Sequence, residues 1–136
     1  MMKWLIISLF VFMGAFAAAD KENKRLIEVP QDENFSRIVS KCTEEAGTTA
    51  EPWTLIKEGK YSDTQPFKDF LYCISVKSNY FYSNGYPDIE KISHLYEESA
   101  MDSLRQCAKS TYSDKPTDVA FKIYMCFVDT RAKSLL

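Results

Sequence analysis

The chain has 136 residues, of which 46% are hydrophobic and 26% charged, and a net charge of −2. That length is one domain's worth. A slightly acidic chain without a block of Lys and Arg excludes nucleic acid as a partner, because phosphates demand clustered cations.

The first segment in chain order is an export signal. Lys3 supplies its positive charge, residues 4–16 form an apolar run broken only by Ser8 and Gly14, and small residues follow. Both Ala15-Phe16-Ala17 and Ala17-Ala18-Ala19 satisfy the cleavage rule. The run is shorter than the ~20 apolar residues that a comfortable membrane span needs, and no second hydrophobic stretch appears downstream. We therefore expect residues 1–19 to be a signal peptide and residues 20–136 a secreted, extracellular domain without stable membrane anchoring. The mature chain is expected to start near Ala18 or Asp20. Loss of Lys3 leaves it slightly more acidic. Residues 20–30 start polar and read as an N-terminal arm.

The remainder reads as helices. Phe35, Ile38, Val39, Cys42 and Ala46 fall on one face of a first helix, and Gly47 can stop it by taking a positive φ. A short second helix over residues 50–58 carries Trp53, Leu55 and Ile56 and ends at Gly59. A third has Thr64 as N-cap, Pro66 in its first turn, and Phe67, Phe70, Leu71 and Ile74 on one face. Ser83-Asn84-Gly85 is a turn. Pro87 can open a fourth helix with Ile89, Ile92 and Leu95 inward. A fifth, over residues 97–111, repeats the pattern with Met101, Leu104, Cys107 and Ala108. Asp114 can cap a sixth, with Pro116 in its first turn and Val119, Ala120, Ile123 and Phe127 at helical spacing. Cys126 sits beside that stripe. No segment alternates convincingly as a strand.

Four cysteines, Cys42, Cys73, Cys107 and Cys126, follow the export signal. An even count in an oxidising compartment points to disulfides. None lies in a C-x-x-C pair, which is poor spacing for a metal site, and no metal is expected. Three pairings are open at this point.

Three segments make the pattern specific. Phe67-Lys68-Asp69-Phe70-Leu71-Tyr72-Cys73-Ile74, Asn84-Gly85-Tyr86-Pro87-Asp88-Ile89-Glu90-Lys91 and Ala120-Phe121-Lys122-Ile123-Tyr124-Met125-Cys126-Phe127 stand in order behind the signal. Together they resemble the third helix, the loop into the fourth helix and the sixth helix of the insect odorant-binding proteins, the general odorant- and pheromone-binding family. Members usually carry six cysteines. The family's spacing puts the two missing ones at Asp69 and Thr117, so the chain resembles the four-cysteine "minus-C" branch.

The resemblance implies an all-α fold: six short helices enclosing an apolar cavity, stapled by two disulfides that pair Cys42 with Cys73 and Cys107 with Cys126. The absent bridge would have tied the third helix to the sixth, so that junction is expected to be the softer seam. The implied function is reversible carriage of small hydrophobic molecules, such as odorants or pheromones, through an aqueous secretion. Phe35, Leu71, Met101, Leu104, Ile123 and Phe127 match the family's pocket positions, and Ser75 or Tyr124 can supply a polar contact. Met101 and Met125 are flexible fillers able to adapt to several shapes. No cofactor is implied. A chemosensory receptor is a second implied partner.

Other features have plainer readings. His94, the only histidine, reads as an exposed helix residue, although its type could titrate and release ligand in acid. Asn34-Phe35-Ser36 matches the glycosylation sequon but stands at the start of a helix. Glu44-Glu45 and Glu97-Glu98 read as solvated faces. With one histidine, no free-cysteine candidate and no recognisable nucleophile motif, no catalytic residues are assigned and an enzyme is not expected. The rival reading is a secreted, disulfide-bonded helical signalling or interaction protein without a small-molecule cargo.

Overall fold

Helix boundaries in this chain are set by a few residues that satisfy or release backbone groups. The computed structural model describes residues 33–134. The expected signal peptide and polar arm lie outside the described residues.

Helix α1 (Glu33–Glu45) places an acidic residue in its first turn and buries Phe35 and Cys42. The carboxylate complements the positive end of the helix dipole. Gly47 then adopts φ +61. Its N–H reaches the Glu44 carbonyl at 3.0 Å and the Thr48 N–H reaches the Thr43 carbonyl at 3.1 Å. These are the two bonds of a Schellman ending, which needs a residue that tolerates left-handed geometry. Helix α2 (Glu51–Lys57) ends in the same way. Gly59 has φ +69 and donates to the Ile56 carbonyl, while Lys60 donates to Leu55.

Helix α3 (Gln65–Lys77) starts where the Thr64 hydroxyl accepts from the Phe67 N–H, with a proline in the first turn. Its end repeats the motif with a different residue. Asn79 takes φ 66, Asn79 donates to Val76 and Tyr80 donates to Ser75. Asparagine is one of the few non-glycine residues for which this region is cheap.

The fourth helix is shorter than its apolar spacing implies. Helix α4 (Ile89–Ile92) is a single turn capped by the Asp88 carboxylate, which accepts from the Lys91 N–H. Leu95 follows it in a turn and is half-buried. Helix α5 (Glu98–Ser110) buries Ala100, Met101, Leu104 and Cys107. Helix α6 (Pro116–Ser134) is the longest. It begins two residues after Asp114, and the Ser113 hydroxyl accepts from the Lys115 N–H. Among the described residues the only extended pairing is an isolated antiparallel bridge, Phe81 to Pro87.

The core is organised around α6. Besides the expected Val119, Ala120, Ile123 and Phe127 it buries Phe121, Tyr124 and Val128, so this helix is covered on more than one side. Its contact with α3 is the broadest between any two helices. Phe67 of α3 meets Phe121 edge-on at 6.0 Å and Tyr124 at 6.0 Å. Lys68 lays its ammonium 5.0 Å from the centre of the Phe121 ring. The junction that lacks a third disulfide is therefore filled by aromatic packing.

Two disulfides tie the remaining helices. Cys42 is bonded to Cys73, with Cα atoms 5.7 Å apart, joining α1 to α3. Cys107 is bonded to Cys126 at 5.8 Å, joining α5 to α6. No free cysteine is present among the described residues.

The turn before α4 is anchored on both flanks. The Tyr72 hydroxyl donates to the Ser83 carbonyl at 2.6 Å, and the Tyr86 hydroxyl donates to the Thr111 carbonyl at 2.9 Å. Gly85, at φ +93, lies so close to α6 that a Cβ there would strike the Pro116 carbonyl and Val119. This close approach is what requires glycine in the turn.

Candidate functional site

The C-terminal half of α3, with the Ser78 that caps it, turns one face inward beside the Cys73 bridge. Leu71, Ile74, Ser75 and Ser78 face inward onto a cavity of about 110 Å³. Its floor comes from α1 and α2 through Phe35 and Ile56, from α5 through Leu104, and from α6 through Ile123, Tyr124 and Phe127. Ile92 closes it from α4. All of these helix residues except the two serines are buried. The half-buried residues Tyr80, Phe81, Leu95 and Tyr96 mark its mouth, on the connections flanking α4.

Polar groups at the site are mostly committed elsewhere. The Tyr124 hydroxyl donates to the Lys60 carbonyl at 2.8 Å, an oxygen that the Schellman ending of α2 presents. Burial, with a smaller contribution from Tyr96, pushes the Tyr124 phenol well above its ordinary 10.0, so it stays neutral. The Ser78 hydroxyl donates to the Ser75 carbonyl at 3.1 Å.

The mouth is held by cations stacked on its rings. Lys91 sits 5.3 Å from the Tyr80 ring centre and donates to the Ser78 carbonyl at 3.4 Å. Arg131 lies 5.7 Å from the Tyr96 ring and 6.0 Å from that of Phe127. It also pairs with Glu97 at 3.2 Å. Tyr96 and Phe127 meet edge-on at 5.2 Å.

Seven residues selected from the sequence come together here: Phe35, Leu71, Ser75, Leu104, Ile123, Tyr124 and Phe127 all border the cavity. Met101 does not. It lies one turn before Leu104 on the same stripe, but its side chain is 1% exposed and enclosed by core, so it fills the interior rather than forming wall. Sequence reasoning missed the mouth. Tyr80, Phe81 and Tyr96 lie outside the periodic helical stripes, so no spacing rule selects them. Ile74 and Ser78 were within reach: Ile74 lies one turn beyond Leu71 on the inward face of α3, and Ser78 continues that face as the C-cap.

The remaining candidates stay away from the site. His94 is exposed. Asn34 is exposed beside buried Phe35. The cluster Cys42, Glu45 and Cys73 has metal-like spacing, but its sulfurs are joined in the disulfide and so offer no thiolate.

Residues 25–130 match the PBP/GOBP family. The chain belongs to that family. Its four cysteines and two disulfides fit the minus-C type of PBP/GOBP protein. No curated protein matches it in sequence. Three solved structures share the fold of this PBP/GOBP chain. An odorant-binding protein of Drosophila melanogaster is 19% identical with a TM-score of 0.61, over 75% of this chain and 93% of that one. A medfly odorant-binding protein is 16% identical with a TM-score of 0.57, over 76% and 92%. Odorant-binding protein 7 of Anopheles gambiae, solved with four disulfide bridges and in complex with an azo compound, is 14% identical with a TM-score of 0.61, over 79% and 93%. These likenesses carry the all-helical fold. No helix among the described residues is long and apolar enough to cross a membrane.

Proposed function

We propose that this protein is a secreted carrier that binds small hydrophobic molecules reversibly in the cavity and moves them through an aqueous secretion. The observation that carries this reading is the cavity itself: about 110 Å³, walled mostly by apolar side chains, with buried ones contributed by each of α1 to α6. Apolar surface removed from water contributes about 25 cal/mol per Å², which favours uptake of an apolar cargo over leaving it in water. Family membership and the azo-compound complex of the mosquito relative support the same reading. Phe35, Leu71, Leu104, Ile123 and Phe127 are the proposed contact surface. Ser75 is the proposed polar contact, since the Tyr124 hydrogen is already donated to Lys60.

Residues 1–19 are proposed to direct export, and residues 20–136 to act as the extracellular carrier. A chemosensory receptor is the proposed recipient of the loaded form. Calorimetric titration of the oxidised protein with apolar odorant-sized compounds tests the reading. Saturable one-to-one binding is expected; absence of binding by every compound refutes it.

A further inference from the structure

We infer that the cavity is rigid and size-limited, so that its cargo is a compact apolar molecule about one ring across rather than a long extended chain. The inference rests on the carrier reading above and adds the class of cargo.

Volume gives the first argument. A dry cavity of roughly 150 Å³ holds one benzene, and the space here is about 110 Å³. A longer molecule fits only if walls retreat or its tail projects through the mouth into water, where it gains no burial.

The walls are braced against retreat. Phe35 backs onto Trp53 at 5.7 Å, and Trp53 backs onto Phe70 at 6.4 Å; Phe70 is fully buried. Tyr124 is fixed at both ends, by its hydrogen bond to Lys60 and by its ring contact with Phe67. Phe127 is held between Tyr96 and the Arg131 guanidinium. Moving any of these rings disrupts a hydrogen bond, a cation–π contact or close core packing, and packed interiors do not deform continuously. The residue type best able to yield is methionine, and no methionine among the described residues borders the cavity. Flat aromatic faces on several sides also favour a flat guest, through stacked and edge-on contacts.

The test uses the oxidised protein comprising residues 20–136. Trp53 is its only tryptophan, since the other is Trp4, and its contact with Phe35 makes its emission a local reporter beside calorimetry. The probes are straight-chain primary alcohols from butanol to hexadecanol, with benzyl alcohol and 2-phenylethanol. Affinity should rise about fourfold per methylene while the chain fits. It should then turn over by about hexanol, where the chain already fills the ~110 Å³ space, and fall by at least tenfold at hexadecanol. The one-ring alcohols should bind at least tenfold tighter than hexadecanol. Phe35→Ala should move the turnover to longer chains; if that variant loses its helical circular dichroism, Phe127→Leu serves in its place. A rise that continues to hexadecanol overturns the size limit and leaves the carrier reading standing, as does an unmoved turnover in a folded variant. Failure of every probe to bind overturns the carrier reading and this inference with it.

Discussion

Tyr124 shows how one side chain serves both stability and the site. Its ring is wall, while its hydroxyl spans from α6 to the carbonyl that ends α2. Replacing it with phenylalanine keeps the wall and leaves the Lys60 carbonyl without its donor. We expect Tyr124→Phe to cost about 1 kcal/mol at neutral pH, read by chemical denaturation. Burial raises the folded-state pKa above the ordinary 10.0, so the folded protein keeps a proton that the unfolded chain sheds in alkali. That stability is complete below pH ~10 and declines as pH rises beyond it toward the folded-state pKa. The variant should therefore lose stability less steeply than the parent in that range. Leu104 and Met101 make a second contrast. Leu104→Trp should abolish binding and keep helical circular dichroism, because its bulk enters the cavity. Met101→Trp should instead destabilise the fold by about 1–3 kcal/mol, since that side chain is buried in the core away from the cavity. These two residues looked alike in sequence because they lie one turn apart on one stripe. Periodicity identifies the buried face of a helix, but does not distinguish close-packed core from cavity wall.

Helix by helix, the sequence was most readable where a single residue controls the backbone. Gly47, Gly59, Thr64 and Pro66 marked boundaries correctly because each has a narrow conformational role. Asn79 performs the same service as the two glycines, yet asparagine has many other uses, so its left-handed ending to α3 was not legible. The single turn of α4 was over-read for a related reason. Ile89, Ile92 and Leu95 keep helical spacing, but the bend after Ser93 turns the chain before the spacing can be used. The α3–α6 seam, expected to be the softer one for want of a disulfide, is held by packing alone: Phe67, Phe121 and Tyr124 fill the broadest helix contact. A bridge can still be tested there. Asp69→Cys with Thr117→Cys should lose both free thiols on air oxidation. It should add up to about 4 kcal/mol, less any strain and the loss of the Gln65–Asp69 hydrogen bond. Two thiols that persist would show that the positions do not face each other.

For the molecule as a whole, fold class was legible and the shape of the cavity was not. Helix count, order and cysteine positions follow from local spacing and family resemblance. The mouth depends on where Tyr80, Phe81 and Tyr96 are carried by connections without periodicity, and that is decided by tertiary packing. The two cystines close loops of 31 and 19 residues. By chain entropy each contributes about 3–4 kcal/mol, so reduction should lower the melting temperature strongly, and differential scanning calorimetry with and without a thiol reductant checks it. The same two cystines bear on how the chain matures. Six cysteines can join in 15 complete ways, four in only three, and both native links here connect sequence-neighbouring cysteines. Oxidative folding thus has few wrong isomers to sort through. With the α3–α6 seam filled by aromatic rings instead of a third cystine, thiol–disulfide exchange has fewer mispaired states to correct.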